Sequence, residues 1–199
     1  NDLTADYYQQ RYPDSWAREY VTERLGQDLT GTEVRPGYAP DSWTALVTHL
    51  HRQGVTDEEM LAAGVATTAS TGRLIDRFRD RVTFPITNTD GDILGFVARS
   101  NPSCGDDDGH GPKYLNTAET ALYHKGDQLF TSGKLAPNSV PVLTEGPFDA
   151  IAITLATGGT HIGVAALGTS LTGQQAAQLR HHSLTPIVAT DADTAGRVA

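Results

Sequence analysis

Four carboxylates stand in two short motifs in the last third of this chain. Val142-Leu143-Thr144 runs into Glu145-Gly146-Pro147-Phe148-Asp149, and Ile187-Val188-Ala189-Thr190 runs into Asp191-Ala192-Asp193-Thr194-Ala195-Gly196-Arg197. Both share one construction: a short apolar run, then acids, then glycine, then a helical pattern. Glu145 and Asp149 lie four positions apart, so a helix starting near Gly146 sets both on one side of the strand-to-helix turn. Asp191 and Asp193 lie two apart and share a face where the chain is still extended. Acids gathered this way repel one another unless a cation neutralises them. Their oxygen-only donors suit Mg²⁺ or Mn²⁺, the ions of phosphate chemistry. A single acid ahead of a helix is commonly just a cap. Two motifs of the same build, in this order, outweigh that reading.

The acids need a scaffold. Apolar runs of four to six residues alternating with amphipathic stretches read as βαβ units with a parallel sheet, so the fold class is α/β. In such sheets ligands sit beyond the carboxyl ends of the strands, where both runs deliver their acids. Between the motifs, Ala166-Leu167-Gly168-Thr169-Ser170-Leu171-Thr172 reads as a turn. Gly168 permits a tight bend, and Thr169 and Ser170 offer hydroxyls to cap a helix over 173–182.

Ahead of that scaffold lies a helical layer. Leu3, Tyr7, Tyr8, Tyr12, Trp16, Tyr20, Val21 and Leu25 form an apolar stripe at helical spacing, with a break at Pro13. Such a stripe is read as core. Residues 26–40, rich in Gly, Thr and Pro, read as an irregular link. Asp41 or Ser42 is placed to cap a helix running to Gln53, with Trp43, Leu46, Val47 and Leu50 buried. Thr56-x-x-Glu59 is a capping box for a short helix that stops at Gly64. A basic, strand-like segment follows, Arg77 to Ile86, with an Asp90-Gly91 hairpin signal and a return strand Ile93 to Arg99. Alternation places Arg77, Arg79 and Arg81 on one side, with Arg99 nearby. Asp106 to Asp108 read as a solvated loop tip.

Several of these pieces resemble known proteins. Glu145-Gly146-x-x-Asp149 followed by Asp191-x-Asp193-x-Ala195-Gly196-Arg197 resembles the Toprim domain of bacterial primases, topoisomerases and some nucleases. The turn Leu167-Gly168-Thr169-Ser170-Leu171-Thr172 resembles that of the replicative-primase branch. Phe78 to Arg99, Pro112-Lys113-Tyr114-Leu115-Asn116 with Glu119-Thr120, and His124-Lys125-Gly126 with Leu129 resemble, in the same order, the catalytic core of DnaG-type bacterial primases. The resemblance implies an α+β N-terminal subdomain over 1–137 and a Rossmann-like Toprim domain over 138–199, truncated at its C-terminus. It further implies a primase that makes short RNA primers on a single-stranded DNA template from nucleoside triphosphates. Arg99, Lys113 and Lys125 are then expected to meet template or triphosphate, with Asn116, Arg79 and Arg81 as weaker expectations. Glu145, Asp191 and Asp193 are expected to hold one or two divalent ions, and Asp149 to orient them. A replicative helicase would bind through other regions.

The chain departs from the family in two places. The replicative branch usually has Tyr after the motif glycine, where Pro147-Phe148 stand here, and Asp-Gly-Asp where Asp191-Ala192-Asp193 stand. These variants suggest a plasmid, phage or conjugative-element member.

Composition sets the outer limits. At 199 residues the chain is one large domain or two small ones. It has no apolar run long enough to span a membrane and no secretory-type leader, so a cytoplasmic location is expected. A single cysteine, Cys104, excludes an internal disulfide, and no Cys/His zinc site is expected. A formal charge of −9 argues against a generic nucleic-acid coat but leaves room for a local basic groove. The first residue is not Met and the last falls in a helix-forming stretch, so a piece of a longer chain is expected. Two rival classes stay open: another Toprim enzyme that cleaves strands, as nucleases and topoisomerases do, and a non-catalytic module that binds single-stranded DNA.

Overall fold

The computed structural model describes residues 1–104, 111–136, 139–168, 170–182 and 185–190. They form two compact units: Asn1–Pro85 with Asp92–Tyr123, and Ile86–Gly91 with the described residues from His124 onward. No helix among them is long and apolar enough to cross a membrane.

The first unit begins with α1 (Asp2–Arg11) and α2 (Trp16–Leu25), which part at Pro13 as the missing N–H requires. Tyr7, Tyr8, Tyr12 and Val21 from the stripe are buried, whereas Leu3 is exposed. Tyr8 meets Phe96 edge-on at 5.8 Å between ring centroids. The link over 26–40 contains a strand too short to show a period, β1 (Gly37–Ala39). A Cβ on Gly37 would come 2.6 Å from Tyr8 Cβ, so glycine lets α1 lie directly on β1.

Next come α3 (Ala45–Arg52), α4 (Asp57–Ala62) and the β2 (Ala66–Thr68)–β3 (Leu74–Asp76) hairpin. The capping box on α4 is present: Glu59 N donates to Thr56 Oγ1 and Thr56 N to Glu59 Oε2. The cap of α3 is not the expected Asp41 or Ser42. Its first-turn amides, of Leu46 and Val47, donate to the carboxylate of Asp76 at 2.9 Å each, from the far end of β3. Burial raises the pKa of Asp76, and those amides work against the rise. Trp43 precedes the helix instead of lying on its apolar face. It is therefore 60% exposed, where burial was expected.

A four-stranded sheet follows in the order β1, β4 (Arg81–Thr87), β5 (Ile93–Ser100), β6 (Tyr114–Asn116). The turn between β4 and β5 falls at Asn88–Gly91, where Gly91 takes φ 92° and Asp90 N donates to Asn88 Oδ1. The strand expected to run from Arg77 starts only at Arg81. Asp80 interrupts it with φ 48°, held by Tyr38 Oη and Asn101 Nδ2, which donate to its carboxylate at 3.0 Å each, and by Trp16 Nε1. Leu46, Val47, Leu50, Met60, Phe78, Ile93 and Phe96 close the core.

The second unit is a mixed sheet in the order β10 (Ile187–Val188), β8 (Val140–Thr144), β9 (His161–Ala166), β7 (Leu129–Thr131). The first three are parallel, with Ile187 opposite Val142 and Val142 opposite Gly163. The expected parallel sheet thus carries one antiparallel edge, β7, which lies ahead of residue 138. Helix α5 (Pro147–Ala156) joins β8 to β9, starting from an extended Gly146 with Pro147 at its first position. Helix α6 (Gly173–His182) follows β9. Leu129, Leu143, Val164 and Leu179 pack between sheet and helix.

At position 163 there is no space for a side chain: an added Cβ would fall 2.0 Å from the Ala150 carbonyl oxygen. Gly163→Ala must push α5 off β9, and a loss of about 3 kcal/mol is expected in urea unfolding. Asp76→Ala leaves buried helix amides without an acceptor and is expected to cost about 2 kcal/mol in the same assay.

Candidate functional site

The acidic edge is built from strand ends. Thr144 closes β8 in the sheet interior, with its hydroxyl within reach of the Val164 carbonyl at 3.1 Å. Glu145 follows at once and is exposed, and Asp149 is exposed on the first turn of α5. Two carboxylates at a helix N-terminus gain from the helix dipole. Next to β8, the Ala189 amide donates to the Leu143 carbonyl at 2.8 Å, so the chain leaves β10 at the same end of the sheet. Asp191 and Asp193 lie outside the described residues. Among the described residues, no group of three or more His, Cys, Asp or Glu could hold a metal ion. The described half of the set, two exposed carboxylates with only oxygen donors, fits a hard cation such as Mg²⁺ or Mn²⁺.

Lys125 belongs to the same unit and is exposed. Its turn, Lys125 to Gln128, rests on the start of α6. The cap of that helix is Thr172 rather than the expected Ser170, and Thr169, the other expected cap, lies outside the described residues. Gln175 N donates to Thr172 Oγ1 at 3.1 Å, and Thr172 N to Gln175 Oε1 at 3.0 Å, a reciprocal capping box. Thr172-x-x-Gln175 was the available signal for it. Gln175 Nε2 then reaches the Lys125 and Gln128 carbonyls at 3.1 and 2.7 Å.

In the first unit, the expected arginines divide by burial. Arg81 is 1% exposed, and its Nη1 donates to the Pro112 carbonyl at 2.9 Å. Burial pushes its pKa down to about 10, helped by the positive charges of Arg79, Arg99 and Arg77, while Asp80 opposes the shift. Arg77 is half-buried and donates through Nε and Nη2 to the Asn116 carbonyl at 3.0 and 2.7 Å. Burial lowers its pKa too. The guanidinium of Arg79 lies 3.8 Å from the centre of the exposed Trp43 ring. Arg99 sits across from Tyr114 on β6, 5.6 Å from its ring centre, and the exposed Lys113 leads into that strand. Arg77, Arg79, Arg81 and Arg99 are four like charges close enough to favour an anion; of these only Arg81 is buried, and Lys113 is exposed just before β6. Asp76, which caps α3, and Asp80, which fixes the break before β4, were missed because their partners lie tens of residues away.

A strand–helix–strand sheet with Glu145 and Asp149 just past β8, and a helix-and-sheet unit rich in arginine, fit the mixed α/β class of a catalytic core with a Toprim domain. The chain belongs to the family described as the DNA primase catalytic core, N-terminal domain, whose family model matches residues 7–135, and a Toprim-like model matches residues 142–199. A DNA primase of Mycobacterium bovis is 36% identical over 194 residues, covering 92% of this chain and 29% of that protein. The chain thus spans less than a third of that relative's length. The crystal structure of the RNA polymerase domain of Mycobacterium tuberculosis primase, with a double-stranded DNA oligomer bearing a 6-nucleotide overhang, matches with TM-score 0.82 at 33% identity. It covers all of this chain and 64% of that one. A DnaG primase catalytic domain bound to single-stranded DNA matches with TM-score 0.76 at 32% identity, over 100% of this chain and 62% of that one.

The burial pattern separates scaffold from surface. Arg77→Ala removes both donors to the Asn116 carbonyl and is expected to lower unfolding free energy by about 1.5 kcal/mol. Lys113→Ala, at an exposed site, is expected to stay within about 0.5 kcal/mol of the parent in the same urea titration.

Proposed function

We propose that this chain is the catalytic part of a DNA primase, which joins ribonucleotides into short RNA primers on single-stranded DNA. The observation that carries this reading is Glu145 and Asp149 standing just past β8 in a chain of the primase family, whose sequence brings Asp191 and Asp193 directly after β10. Glu145, Asp191 and Asp193 would hold one or two Mg²⁺ or Mn²⁺ ions, and Asp149 would orient them. Such ions, when bound, supply charge neutralisation at the reacting phosphates and at the leaving pyrophosphate. The chain's own part is to bind and align. Lys125 would neutralise triphosphate charge at the edge it shares with Glu145. Arg99 and Lys113, with Arg79 and Asn116 beside them, would meet the template backbone without reading its bases, which suits an enzyme that reads by base pairing. Arg81, being buried, would shape that surface and add to its potential without touching phosphate. A helicase would dock elsewhere in the full protein, and the proposed setting is the cytoplasm.

The test is Mn²⁺-dependent ATP binding by calorimetry, followed by primer synthesis on single-stranded DNA. Glu145→Gln is expected to remove Mn²⁺-dependent binding by about 100-fold or more, as for loss of a metal ligand. Lys113→Ala, an exposed cation, is expected to weaken single-stranded DNA binding about threefold and to lower its salt dependence. ATP binding indifferent to Mn²⁺ and to Glu145→Gln, with DNA binding intact, would point to a non-catalytic binding module. Mg²⁺-dependent nicking of plasmid DNA without primer synthesis would point to strand cleavage.

A further inference from the structure

The Lys125 turn is held far more firmly than an exposed turn requires. Its four successive carbonyls all accept hydrogen bonds from side chains of the α6 start. Gln175 Nε2 serves Lys125 and Gln128, Thr172 Oγ1 serves Gly126 at 2.6 Å, and Gln178 Nε2 serves Asp127. Surface carbonyls are satisfied by water at no structural cost. Gln175, by contrast, is 1% exposed. Capping needs only its Oε1, yet its Nε2 reaches back 50 and 47 residues to the turn.

The turn also has a fixed place at the sheet. Lys125 Cε lies 3.7 Å from where a Cβ on Gly168 would sit, just past the end of β9. That strand runs parallel to β8, with Ala165 opposite Thr144, the residue before Glu145. Lysine has a long, mobile stem, and a free backbone would let its ammonium wander over a wide volume. Fixing four carbonyls in a row roots that stem beside the end of β9 and narrows the volume the ammonium can reach.

We infer that Gln175 is a positioning residue for Lys125, anchoring the turn so that its ammonium meets nucleoside triphosphate at the acidic edge. This rests on the reading of Lys125 as a phosphate contact. Gln175 touches no ligand itself; it acts through the Lys125 backbone, with Thr172 and Gln178 as auxiliaries.

A double-mutant cycle tests it, using ATP with Mn²⁺ in calorimetry and thermal melting as a check on folding. Lys125→Ala is expected to weaken ATP binding about tenfold, the loss of one charge-assisted bond. Gln175→Met should weaken it about fivefold, and the double variant no more than Lys125→Ala alone, because the anchor has nothing left to place. If the two effects instead multiply, Gln175 supports the fold generally and the inference fails. An unchanged affinity in Gln175→Met beside a weakened Lys125→Ala also overturns the positioning role but leaves Lys125 as a contact. An unchanged affinity in Lys125→Ala removes the phosphate reading itself, and the inference with it. Should Gln175→Met fail to fold, Gln178→Leu replaces it, with a smaller effect of about twofold and the same non-additivity.

Discussion

The second unit depends on one close approach. Helix α5 lies on β9 with its backbone so near that only hydrogen fits at position 163. Ser132 ties the two together, its hydroxyl within 3.0 Å of the Ala150 carbonyl and 2.7 Å of the Gly163 carbonyl. Since α5 starts two residues after Glu145, the seat of that helix on the sheet decides where both Glu145 and Asp149 stand. The carboxylates owe their place to a glycine with no chemistry of its own. A buried contact of this kind leaves the first turn of α5 little freedom to shift along the sheet.

The first unit meets the opposite electrostatic problem. Burial depresses the pKa of Arg81, and the nearby charges of Arg79, Arg99 and Arg77 depress it further. Backbone carbonyls absorb much of the cost, those of Pro112 and Asn116 accepting from Arg81 and Arg77. Carbonyls satisfy the donors without cancelling the charge, so the positive potential remains available to an anion at the surface. A carboxylate in the same position would have neutralised it.

Legibility in the sequence followed the range of each interaction. The break at Pro13, the Thr56-x-x-Glu59 box and the Asp90-Gly91 turn are local signals, and the structure bears each out. Strand β1 was hidden because three residues carry no period, and β7 because an antiparallel edge of three residues looks like a loop. The extent of β4 was overestimated because Asp80 breaks the alternation through partners at Tyr38 and Asn101. Trp43 was placed inside because it sat at helical spacing from Leu46, but the helix begins only at Ala45. The roles of Arg77 and Arg81 turn on which carbonyls they reach, and composition says nothing of that. The strand-to-helix turn that carries Glu145 and Asp149 was legible from their spacing, whereas the clamp by Gln175 spans some fifty residues.

The distant cap on α3 has a consequence for how the chain folds. Most helices carry their start signal within one turn and can form a transient first turn on their own. Helix α3 takes its acceptor from Asp76, 30 residues beyond Leu46 and at the end of the β2–β3 hairpin. Its first turn is therefore complete only once that hairpin has docked, and it frays when the hairpin leaves. That link couples the helix to the hairpin, so the two are expected to open together as one cooperative piece.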